Sequence, residues 1–237
     1  MTELKHKAVF FDFMGTCLDW HTGVINIFPQ SIEQSARSKL ALEWRQDYFD
    51  SNSARLKAQQ PPEDIDITLR RTFQTLLRKH PEYQDLFDDE LLDKCVAQWH
   101  SMPAWPEVPL AIKRIKAAGF QTFVFANGTT CLQLDLCQSS GLAFDMLFSS
   151  ALLGVYKPAP ESYHKVLELV KLKPEETIMV AAHAYDLRGA KNVGMHTVYI
   201  SRWTDDIEED FDSVKKENDF SILNMTQLPE IISKMQV

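Results

Sequence analysis

Short runs of apolar residues occur near the start of this chain and through its second half. In the second half they alternate with segments whose apolar residues recur at helical spacing. Three such runs, Ala8–Phe11 and residues 120–126 and 177–182, have the composition of strands that are buried on both faces of a parallel sheet. The stripe over residues 108–118 predicts a helix, which ends at Gly119. Repeated strand and helix units of this kind predict an α/β fold with a doubly wound, Rossmann-like parallel sheet and right-handed crossovers.

Weaker patterns complete this arrangement. We predict short strands at residues 146–148 and 197–200, the latter being the last strand. Helices are predicted near residues 132–139, from Pro160 onward, since proline suits a first helical turn, and over Leu228–Met235. The buried stripe of the helix that begins at Pro160 consists of Tyr163, Val166, Leu167 and Val170.

The stretch between the first two predicted strands has a different pattern. Residues 22–100 show helical periodicity and no convincing strand. We therefore predict a core domain of residues 1–18 and 104–237 and a helical cap domain of residues 19–103, inserted after the first strand over the carboxyl ends of the sheet. One rough helical stripe of the insertion consists of Ile67, Leu69, Phe73, Leu76 and Leu77.

Composition and charge narrow the class of partner. The chain of 237 residues is 45% hydrophobic, which suffices for one large or two small domains. Its formal net charge is -8 and its Lys and Arg residues do not cluster, so neither nucleic acid nor a membrane surface is an expected partner. The acidic residues 205–212 are predicted to form a solvated loop. Small-molecule chemistry is the better expectation.

Cysteine and histidine spacing gives no sign of a metal or disulfide framework. Cys17, Cys95, Cys131 and Cys137 lack CxxC spacing, and no His pair has metal-ligand spacing. This usage fits a reduced, cytoplasmic setting. No apolar run approaches ~18 residues and no cleavage pattern is recognisable, so neither a membrane anchor nor secretion is expected.

Polar side chains occur at the ends of the predicted strands and in the loops that follow. Because the carboxyl ends of parallel strands meet at one edge of a sheet, residues far apart in sequence can share a site there. An acid after a buried strand, followed by a glycine turn with amide and hydroxyl donors, is a candidate nucleophile. The candidate groups are Asp12 with Thr16, Asn127 with Gly128, Lys157, and His183 with Asp186.

Each of these residues also has an ordinary structural interpretation. Asp12 and Asn127 could each stabilise a turn. Lys157 could be a solvated loop lysine, and Asp186 could cap the helix that follows it. The order of all four groups along the chain favours a shared site.

This order resembles the haloacid dehalogenase-like superfamily over nearly the whole chain. Its four motifs are matched by residues 12–16, by Asn127, by Lys157-Pro158 and by Asp186. Phosphatases of the superfamily carry a second Asp two residues after the nucleophile, as general acid and, through its backbone, as part of a magnesium site. This chain has Met14 there, and a thioether cannot donate a proton to a leaving alcohol, so phosphoryl transfer by that mechanism is disfavoured.

A closer resemblance is to the type II (S)-2-haloacid dehalogenases, which lack the second Asp and work without metal. It implies that Arg45 takes the departing halide or the substrate carboxylate, although an amphipathic helix could equally turn Arg45 to water. It also implies a buried pair of Lys157 and Asp186 near Asp12, in which the cation holds Asp12 ionised. The matching stretches are Trp44-Arg45-Gln46, Val155-Tyr156-Lys157-Pro158 with Tyr163 six residues after the lysine, and Ala184-Tyr185-Asp186.

Four positions depart from the pattern of these dehalogenases. Ala126 replaces a hydroxyl residue, Ala181 a serine, His183 an asparagine and Met14 an aromatic residue. We predict that His183 either holds its loop or, as a neutral imidazole, removes a proton from water. Tyr163 lies on an apolar helical stripe, so a core role and a catalytic role both remain open.

We expect a metal-independent hydrolase without cofactors that converts short (S)-2-halo acids to (R)-2-hydroxy acids through an ester on Asp12. Two alternatives stay open: hydrolytic opening of a strained ring beside a carboxylate, and a phosphatase-fold protein without catalysis that serves as a binding partner. The expected partners are a 2-substituted carboxylic acid and the halide product, with a homodimer as the candidate assembly. Residues expected near the substrate are Met14, Thr16, Asn127, Gly128 and Tyr163.

Overall fold

The computed structural model describes residues 5–61 and 63–236. The chain divides into two compact units, the first consisting of Met1–Asp19 with Ala104–Val237 and the second of Trp20–Pro103. The first unit contains the sheet, and the described residues of the second are built mainly from helices. The role of the second unit as a cap stays a prediction.

The described residues of the first unit form one sheet of six parallel strands. The strands are β1 (Ala8–Phe11), β2 (Gln121–Ala126), β3 (Met146–Ser149), β4 (Thr177–Ala181), β5 (His196–Ile200) and β6 (Phe220–Ile222). They lie in the order β3-β2-β1-β4-β5-β6. β1 and β4 are buried along their whole length, as their continuous apolar sequences require. The predicted α/β fold with a parallel sheet is confirmed.

Helices connect the strands and make up the inserted unit. In the second unit they are α1 (Trp20–Ile27), α2 (Gln34–Lys57), α3 (Ile65–Lys79), α4 (Pro81–Gln84) and α5 (Asp89–Ala97). In the first unit they are α6 (Val108–Ala117), α7 (Thr130–Ser140), α8 (Ser150–Leu153), α9 (Pro160–Val170), α10 (Ala184–Asn192), α11 (Phe211–Glu217) and α12 (Leu228–Met235). Among the described residues, no helix has both the length and the apolar composition that a membrane crossing requires.

The strand order places the expected ligand position beside β1. Ala8 of β1 pairs with Gln121 of β2 on one side and with Thr177 of β4 on the other. On the first side of β1 the strand order runs outward from β2 to β3, and on the second side from β4 through β5 to β6, so the direction of winding reverses at β1. Open α/β sheets bind ligands outside the carboxyl ends of the strands at such a reversal. Residues that follow β1 and β4 are therefore expected to share one edge.

Aromatic side chains fill the core between the sheet and helices α9 and α10. The ring centroids of Phe10 and Phe123 lie 5.0 Å apart, and those of Phe125 and Tyr163 lie 5.3 Å apart in an edge-to-face arrangement. Tilted and edge-to-face pairs are the favourable geometries for aromatic rings. This packing holds β1, β2 and α9 together behind the edge where the polar residues collect.

The second unit has its own aromatic core. Trp44 of α2 stacks on Phe73 of α3 with ring centroids 4.2 Å apart, and Phe28 lies 5.4 Å from Phe73. The indole nitrogen of Trp44 donates to the carbonyl of Leu69 at 3.0 Å, so its polar atom is satisfied inside this core. Trp20 and Trp99 stack at 5.7 Å.

Three sequence predictions are wrong in detail. Ile67 is 58% exposed, because on α3 it lies about 200° around the helix from the buried Leu69. A sixth strand, β6, follows α11, and its three residues were too few to produce a recognisable pattern. The acidic stretch is not a solvated loop throughout, since Asp205 is buried and α11 begins at Phe211.

Candidate active site

The carboxylate of Asp12 stands just beyond the carboxyl end of β1. Its backbone N–H donates to the carbonyl of Val180 at 3.0 Å, which extends the pairing with β4 by one residue. The chain then turns sharply: Cys17 N–H donates to Phe13 O at 2.8 Å, and Gly15 has a φ of 84°. Glycine adopts this conformation at little cost. The turn leaves the Asp12 side chain at the sheet edge with only 6% of the residue exposed.

The ammonium group of Lys157 links two buried carboxylates. Its Nζ donates to Asp12 Oδ1 at 3.1 Å, to Asp186 Oδ2, and to the carbonyl of Phe125 at 2.7 Å. An ammonium group has three donors, so each has an acceptor in this arrangement. The Lys157 side chain has no exposed surface. The structure therefore brings Asp12, Lys157 and Asp186 together at one place.

These contacts set the charges of the three groups. Burial alone would raise the pKa of Asp12, but Lys157 and the hydrogen bonds from His183 and Thr16 hold that pKa well below its usual range. Burial would lower the pKa of Lys157, but the two carboxylates raise it above its usual value. Burial raises the pKa of Asp186. Asp12 is thus held ionised, and Asp186 is the more basic of the two carboxylates.

The hydroxyl of Thr16 and the ring of His183 hold the other oxygen of Asp12. Thr16 Oγ1 donates to Asp12 Oδ2 at 2.8 Å and accepts the backbone N–H of Ala182 at 2.9 Å. His183 Nδ1 lies 3.0 Å from the same Oδ2, and its Nε2 lies 3.1 Å from Asp205 Oδ1. The predicted site residues after β1 and β4 therefore meet directly.

His183 carries a positive charge in this arrangement. Burial would lower the pKa of the imidazole, but hydrogen bonds to Asp12 and Asp205, and their charges, raise it to about 10. The geometry favours a protonated ring over the predicted neutral imidazole, because a neutral imidazole has one N–H and could donate to only one of the two carboxylates. A protonated ring has no free lone pair with which to remove a proton from water.

Asp205 is the site residue that the sequence analysis missed. Its carboxylate has no exposed surface, and its Oδ2 accepts a hydrogen bond from Thr204 Oγ1 at 2.7 Å. It lies so close to Gly15 that a Cβ there would sit 2.6 Å from Asp205 Oδ1. The available signal was its position soon after Ile200, the last residue of β5, but it stands at the start of an acidic run that resembles an exposed loop.

Tyr163 belongs to the core and also contacts the site. Its hydroxyl donates to Asp186 Oδ1 at 2.7 Å, and its ring is fully buried. Burial, together with the charge of Asp186, raises the pKa of Tyr163 far above its usual value, so the hydroxyl stays a donor. A Cβ at Gly189 would lie 2.6 Å from this hydroxyl, so only glycine lets α9 and α10 approach this closely.

Asn127 and Gly128 already have partners within the protein. The amide of Asn127 donates to the carbonyl of Lys157 at 3.0 Å and accepts its backbone N–H at 2.9 Å. The N–H of Gly128 donates to Ser150 Oγ at 2.8 Å. These bonds explain how the Lys157 backbone is held at the end of β2. A role for Asn127 or Gly128 in binding substrate stays a prediction.

Arg202 and Trp105 brace the turn after Asp12 from behind. Arg202 Nη2 donates to the carbonyl of Thr16 at 3.0 Å, and its Nη1 donates to Glu107 at 2.7 Å. The Arg202 guanidinium lies 4.6 Å from the ring centroid of Trp105, whose indole N–H donates to the carbonyl of Gly15 at 2.8 Å. No motif in the sequence pointed to either residue.

Arg45 is buried in the second unit, on α2, with 5% of the residue exposed. Its guanidinium carbon lies 4.5 Å from the ring centroid of Phe49, 5.4 Å from those of Trp20 and Trp99, and 5.8 Å from that of Tyr48. The alternative in which α2 turns Arg45 to water is wrong. A cation within aromatic faces is partly desolvated, and this strengthens its attraction for an anion.

A family model described as a haloacid dehalogenase-like hydrolase matches residues 6–194. This chain belongs to that family. The hydrolase is similar to (S)-2-haloacid dehalogenase 4A of Burkholderia cepacia, 26% identical over 213 residues that cover 89% of this chain and 90% of the relative. It is also similar to the crystal structure of an L-2-haloacid dehalogenase, with a TM-score of 0.81 and 29% identity, covering 97% of this chain and 99% of that one.

A phosphatase is also similar to this haloacid dehalogenase-like hydrolase, over a shorter stretch. The glyceraldehyde 3-phosphate phosphatase of Pyrococcus furiosus is 35% identical over 134 residues, which cover 54% of this chain and 55% of the relative. The family model and the matching fold confirm the predicted superfamily and the prediction of a hydrolase.

A magnesium ion, as the resemblance describes for the phosphatases of this superfamily, does not fit the residues of this hydrolase. Mg²⁺ requires about six oxygen ligands in octahedral geometry. Asp12 Oδ1 and Asp186 Oδ2 both accept from the Lys157 ammonium. In the described part of the chain, no group of three His, Cys, Asp or Glu side chains is arranged to hold a metal. Lys157 supplies the cation between the two carboxylates.

Proposed function

We propose that this hydrolase cleaves the carbon–halogen bond of short (S)-2-halo acids and releases halide and the (R)-2-hydroxy acid. The observation that carries the proposal is the buried, ionised carboxylate of Asp12, held beside Lys157 with Met14 in the position of the phosphatase acid. Such a carboxylate is a nucleophile that forms a covalent intermediate. The similarity to (S)-2-haloacid dehalogenase 4A and to the L-2-haloacid dehalogenase structure supports the substrate class.

In the first step, an oxygen of Asp12 attacks C2 of the substrate from the side opposite to the halogen. The carbon–oxygen bond forms while the carbon–halogen bond breaks, and the halide leaves with the bonding electron pair. Attack from the opposite side inverts the configuration at C2. The product of this step is an ester in which the aspartyl group has lost its negative charge.

In the second step, water cleaves the ester at the aspartyl carbonyl carbon. Asp186 is the proposed proton acceptor, because burial makes it more basic than an ordinary carboxylate. Water adds to the carbonyl carbon and passes one proton to Asp186. The ester bond then breaks, the proton moves from Asp186 to the departing oxygen, and the hydroxy acid is released. Asp12 loses its remaining proton to solvent and is ionised again.

Arg45 is proposed to bind the halide or the substrate carboxylate. Guanidinium groups are permanently charged, and their planar donor set matches a carboxylate. The four aromatic rings around Arg45 lower the competition from water for an incoming anion. In this proposal the second unit acts as the cap and excludes bulk water during the reaction.

The test is a screen of 2-halo acids in excess chelator, in which halide and hydroxy acid are both measured. We expect (S)-2-chloropropionate to release both products in equal amounts and the (R) enantiomer to release neither. Asp12→Asn is the matched control, because it keeps the size of the side chain and removes the nucleophile. Failure of the wild-type protein to release halide from any 2-halo acid would overturn the proposal.

Phosphate-ester hydrolysis is the second candidate, favoured by the identity with the phosphatase of Pyrococcus furiosus. Met14 argues against phosphate-ester hydrolysis, because its side chain cannot protonate a leaving alcohol. The same screen includes phosphate esters with and without added magnesium. Turnover of these esters that needs magnesium and exceeds dehalogenation would favour the phosphatase.

A further inference from the structure

The two oxygens of the Asp12 carboxylate have unequal surroundings. Among the described residues, Oδ1 accepts one hydrogen bond, from Lys157 at 3.1 Å. Oδ2 accepts two, from Thr16 Oγ1 at 2.8 Å and from His183 Nδ1 at 3.0 Å. Each carboxylate oxygen has two lone pairs in its plane, so both lone pairs of Oδ2 are engaged, whereas Oδ1 retains one. Oδ1 is therefore the oxygen that can attack a substrate carbon.

The Thr16 hydroxyl can only donate to Asp12. Its oxygen accepts the backbone N–H of Ala182 at 2.9 Å, which fixes the direction of its lone pair. The single hydroxyl proton then points to Asp12 Oδ2. Thr16 is fully buried, so no water competes for this donor.

The ring of His183 must also act as a hydrogen-bond donor to Asp12. Its Nδ1 faces Asp12 Oδ2 at 3.0 Å, and its Nε2 faces Asp205 Oδ1 at 3.1 Å. Ionised carboxylates only accept hydrogen bonds, so both ring nitrogens must carry protons. The imidazolium thus adds a positively charged donor beside the neutral hydroxyl of Thr16.

We propose that Thr16 and His183 form an oxyanion hole for cleavage of the Asp12 ester, and that Asp205 positions His183 as an imidazolium for this step. The proposal deepens the dehalogenase function and rests on it, because it presupposes that the ester forms. His183 is then a catalytic donor rather than the base that removes a proton from water.

The chemistry follows from the two oxygens. Oδ1 bonds to C2 as the halide leaves with the bonding electrons, so Oδ2 becomes the carbonyl oxygen of the ester. When water adds to the carbonyl carbon and passes a proton to Asp186, negative charge collects on Oδ2, where both donors already point. Preorganised donors at such an oxygen stabilise the transition state. The bond from the carbonyl carbon to Oδ1 then breaks, and Oδ1 takes the proton from Asp186 and leaves in the hydroxy acid.

Asp205 is held rigidly enough to position the ring. Thr204 Oγ1 donates to its Oδ2 at 2.7 Å, and the backbone of Gly15 lies directly against its carboxylate. Gly15 belongs to the turn that carries the nucleophile Asp12 and the donor Thr16. The same turn therefore lies against Asp205, which holds the second donor, His183. Orientation of a catalytic imidazole by a buried carboxylate is an established arrangement in other hydrolases.

Ester formation changes only one of the charges that face His183. The loss of the Asp12 charge lowers the pKa of His183 from its initial value of about 10, but Asp205 continues to stabilise the imidazolium. The carboxylate of Asp206 accepts the N–H of Ala184 beside the ring. The titratable groups around His183 are Asp12, Asp205, Asp206 and Tyr185, with Lys157 and Asp186 beyond Asp12.

The kinetic test separates ester formation from ester cleavage. In rapid-quench measurements on (S)-2-chloropropionate, the burst of halide gives the rate of ester formation. Intact-protein mass spectrometry of the quenched samples follows the ester and gives the rate of its cleavage. His183→Ala removes the ring donor, so it should retain the burst and cleave the ester ~10²–10³-fold more slowly, as expected for the loss of one oxyanion donor. Glu208→Gln is the matched control for Asp205→Asn, because it removes an exposed carboxylate from the same acidic stretch and should leave both steps unchanged.

The pH dependence distinguishes a donor from a base and a positioning role from a merely structural one. If the imidazolium is required, ester cleavage is present below the pKa of His183 and is lost as the pH rises through it. Removal of an ionic partner in Asp205→Asn should move this loss about 1–2 pH units lower. The defect of that variant should therefore be small at acidic pH and grow with pH, whereas a structural defect would persist at every pH.

Nuclear magnetic resonance of the free protein tests the charge of His183 without any substrate. The ring nitrogens of His183 should both be protonated at neutral pH in the wild type, and the titration midpoint should fall in Asp205→Asn. Wild-type protein that releases no halide would overturn the dehalogenase function, and this inference with it. Halide release without an ester would overturn this inference alone. An ester that forms but is cleaved normally by both variants, or faster as His183 loses its proton, would overturn the oxyanion hole alone.

Discussion

Replacement of Lys157 by methionine is the sharpest test of how the site is held together. The substitution keeps an unbranched side chain of similar length but removes the cation between Asp12 and Asp186. Both carboxylates would then be buried without their shared counter-ion. Removal of one partner from a buried ion pair costs about 3–5 kcal/mol, because the remaining charge is left uncompensated. Since a domain is typically stable by ~5–15 kcal/mol, Lys157→Met should remain folded but clearly weakened.

The loss should depend on pH in a defined direction. Asp12 has a lowered pKa in the wild type, so its contribution to stability is present above the unfolded pKa near ~4 and is lost as the pH falls through the folded value. In Lys157→Met the folded pKa values of Asp12 and Asp186 rise, and protonation relieves the buried charge. The difference in unfolding free energy between the two proteins should therefore be largest near neutral pH and should shrink toward pH ~4.

Urea unfolding of both proteins at several pH values measures this difference. Lys113→Met is the matched control, because Lys113 is exposed on α6 and its loss should change stability by less than about 0.5 kcal/mol. Lys157→Met/Asp186→Asn should recover part of the lost stability, since the buried charge of Asp186 is gone while Asp12 keeps His183 as a partner. A loss below about 1 kcal/mol at neutral pH, or one that grows on acidification, would refute the reasoning.

Three further predictions concern the cation in the second unit, the turn and the nucleophile. Arg45→Lys should lose most dehalogenase activity while thermal unfolding is unchanged, because an ammonium cannot reproduce a planar fork; near-normal turnover would remove Arg45 from the mechanism. Gly15→Ala should destabilise the protein by about 1–3 kcal/mol in denaturant, since its Cβ would lie 2.6 Å from Asp205 and its φ is 84°; an unchanged midpoint would contradict the close approach. A single turnover in heavy-oxygen water should give unlabelled hydroxy acid, with the label entering Asp12; label in the first product would indicate direct attack by water.

Sequence patterns located the polar residues of the candidate site better than their partners. A buried strand followed by a polar residue is a local pattern, and it pointed to Asp12, Asn127 and His183. Which oxygen each of them contacts depends on tertiary packing. Asn127, for example, is predicted to lie at the substrate, and the structure shows that its amide also holds the backbone of Lys157. A local pattern cannot show this, because the partner lies thirty residues away.

The charge of His183 shows the same limit. An isolated imidazole is neutral near physiological pH, and this left a role as a base open beside a structural one. The structure places one carboxylate from the end of β1 and another from beyond β5 on opposite sides of the ring. The second, Asp205, stands next to several other acids in the sequence, and nothing local distinguishes the one that is buried. Six parallel strands likewise include one, β6, that is too short to be recognised by periodicity.

The central position of β1 has a consequence for synthesis of the chain. Ala8 pairs with Gln121 and Thr177, so neither neighbouring strand exists when β1 leaves the ribosome. Translation at ~5–20 residues per second needs roughly 6–22 s to reach Gln121. During that time the apolar segment Ala8–Phe11 has no native strand to pair with, while the helices of Trp20–Pro103 are already being made. Newly made chains should therefore depend on chaperones that shield this segment until β2 emerges.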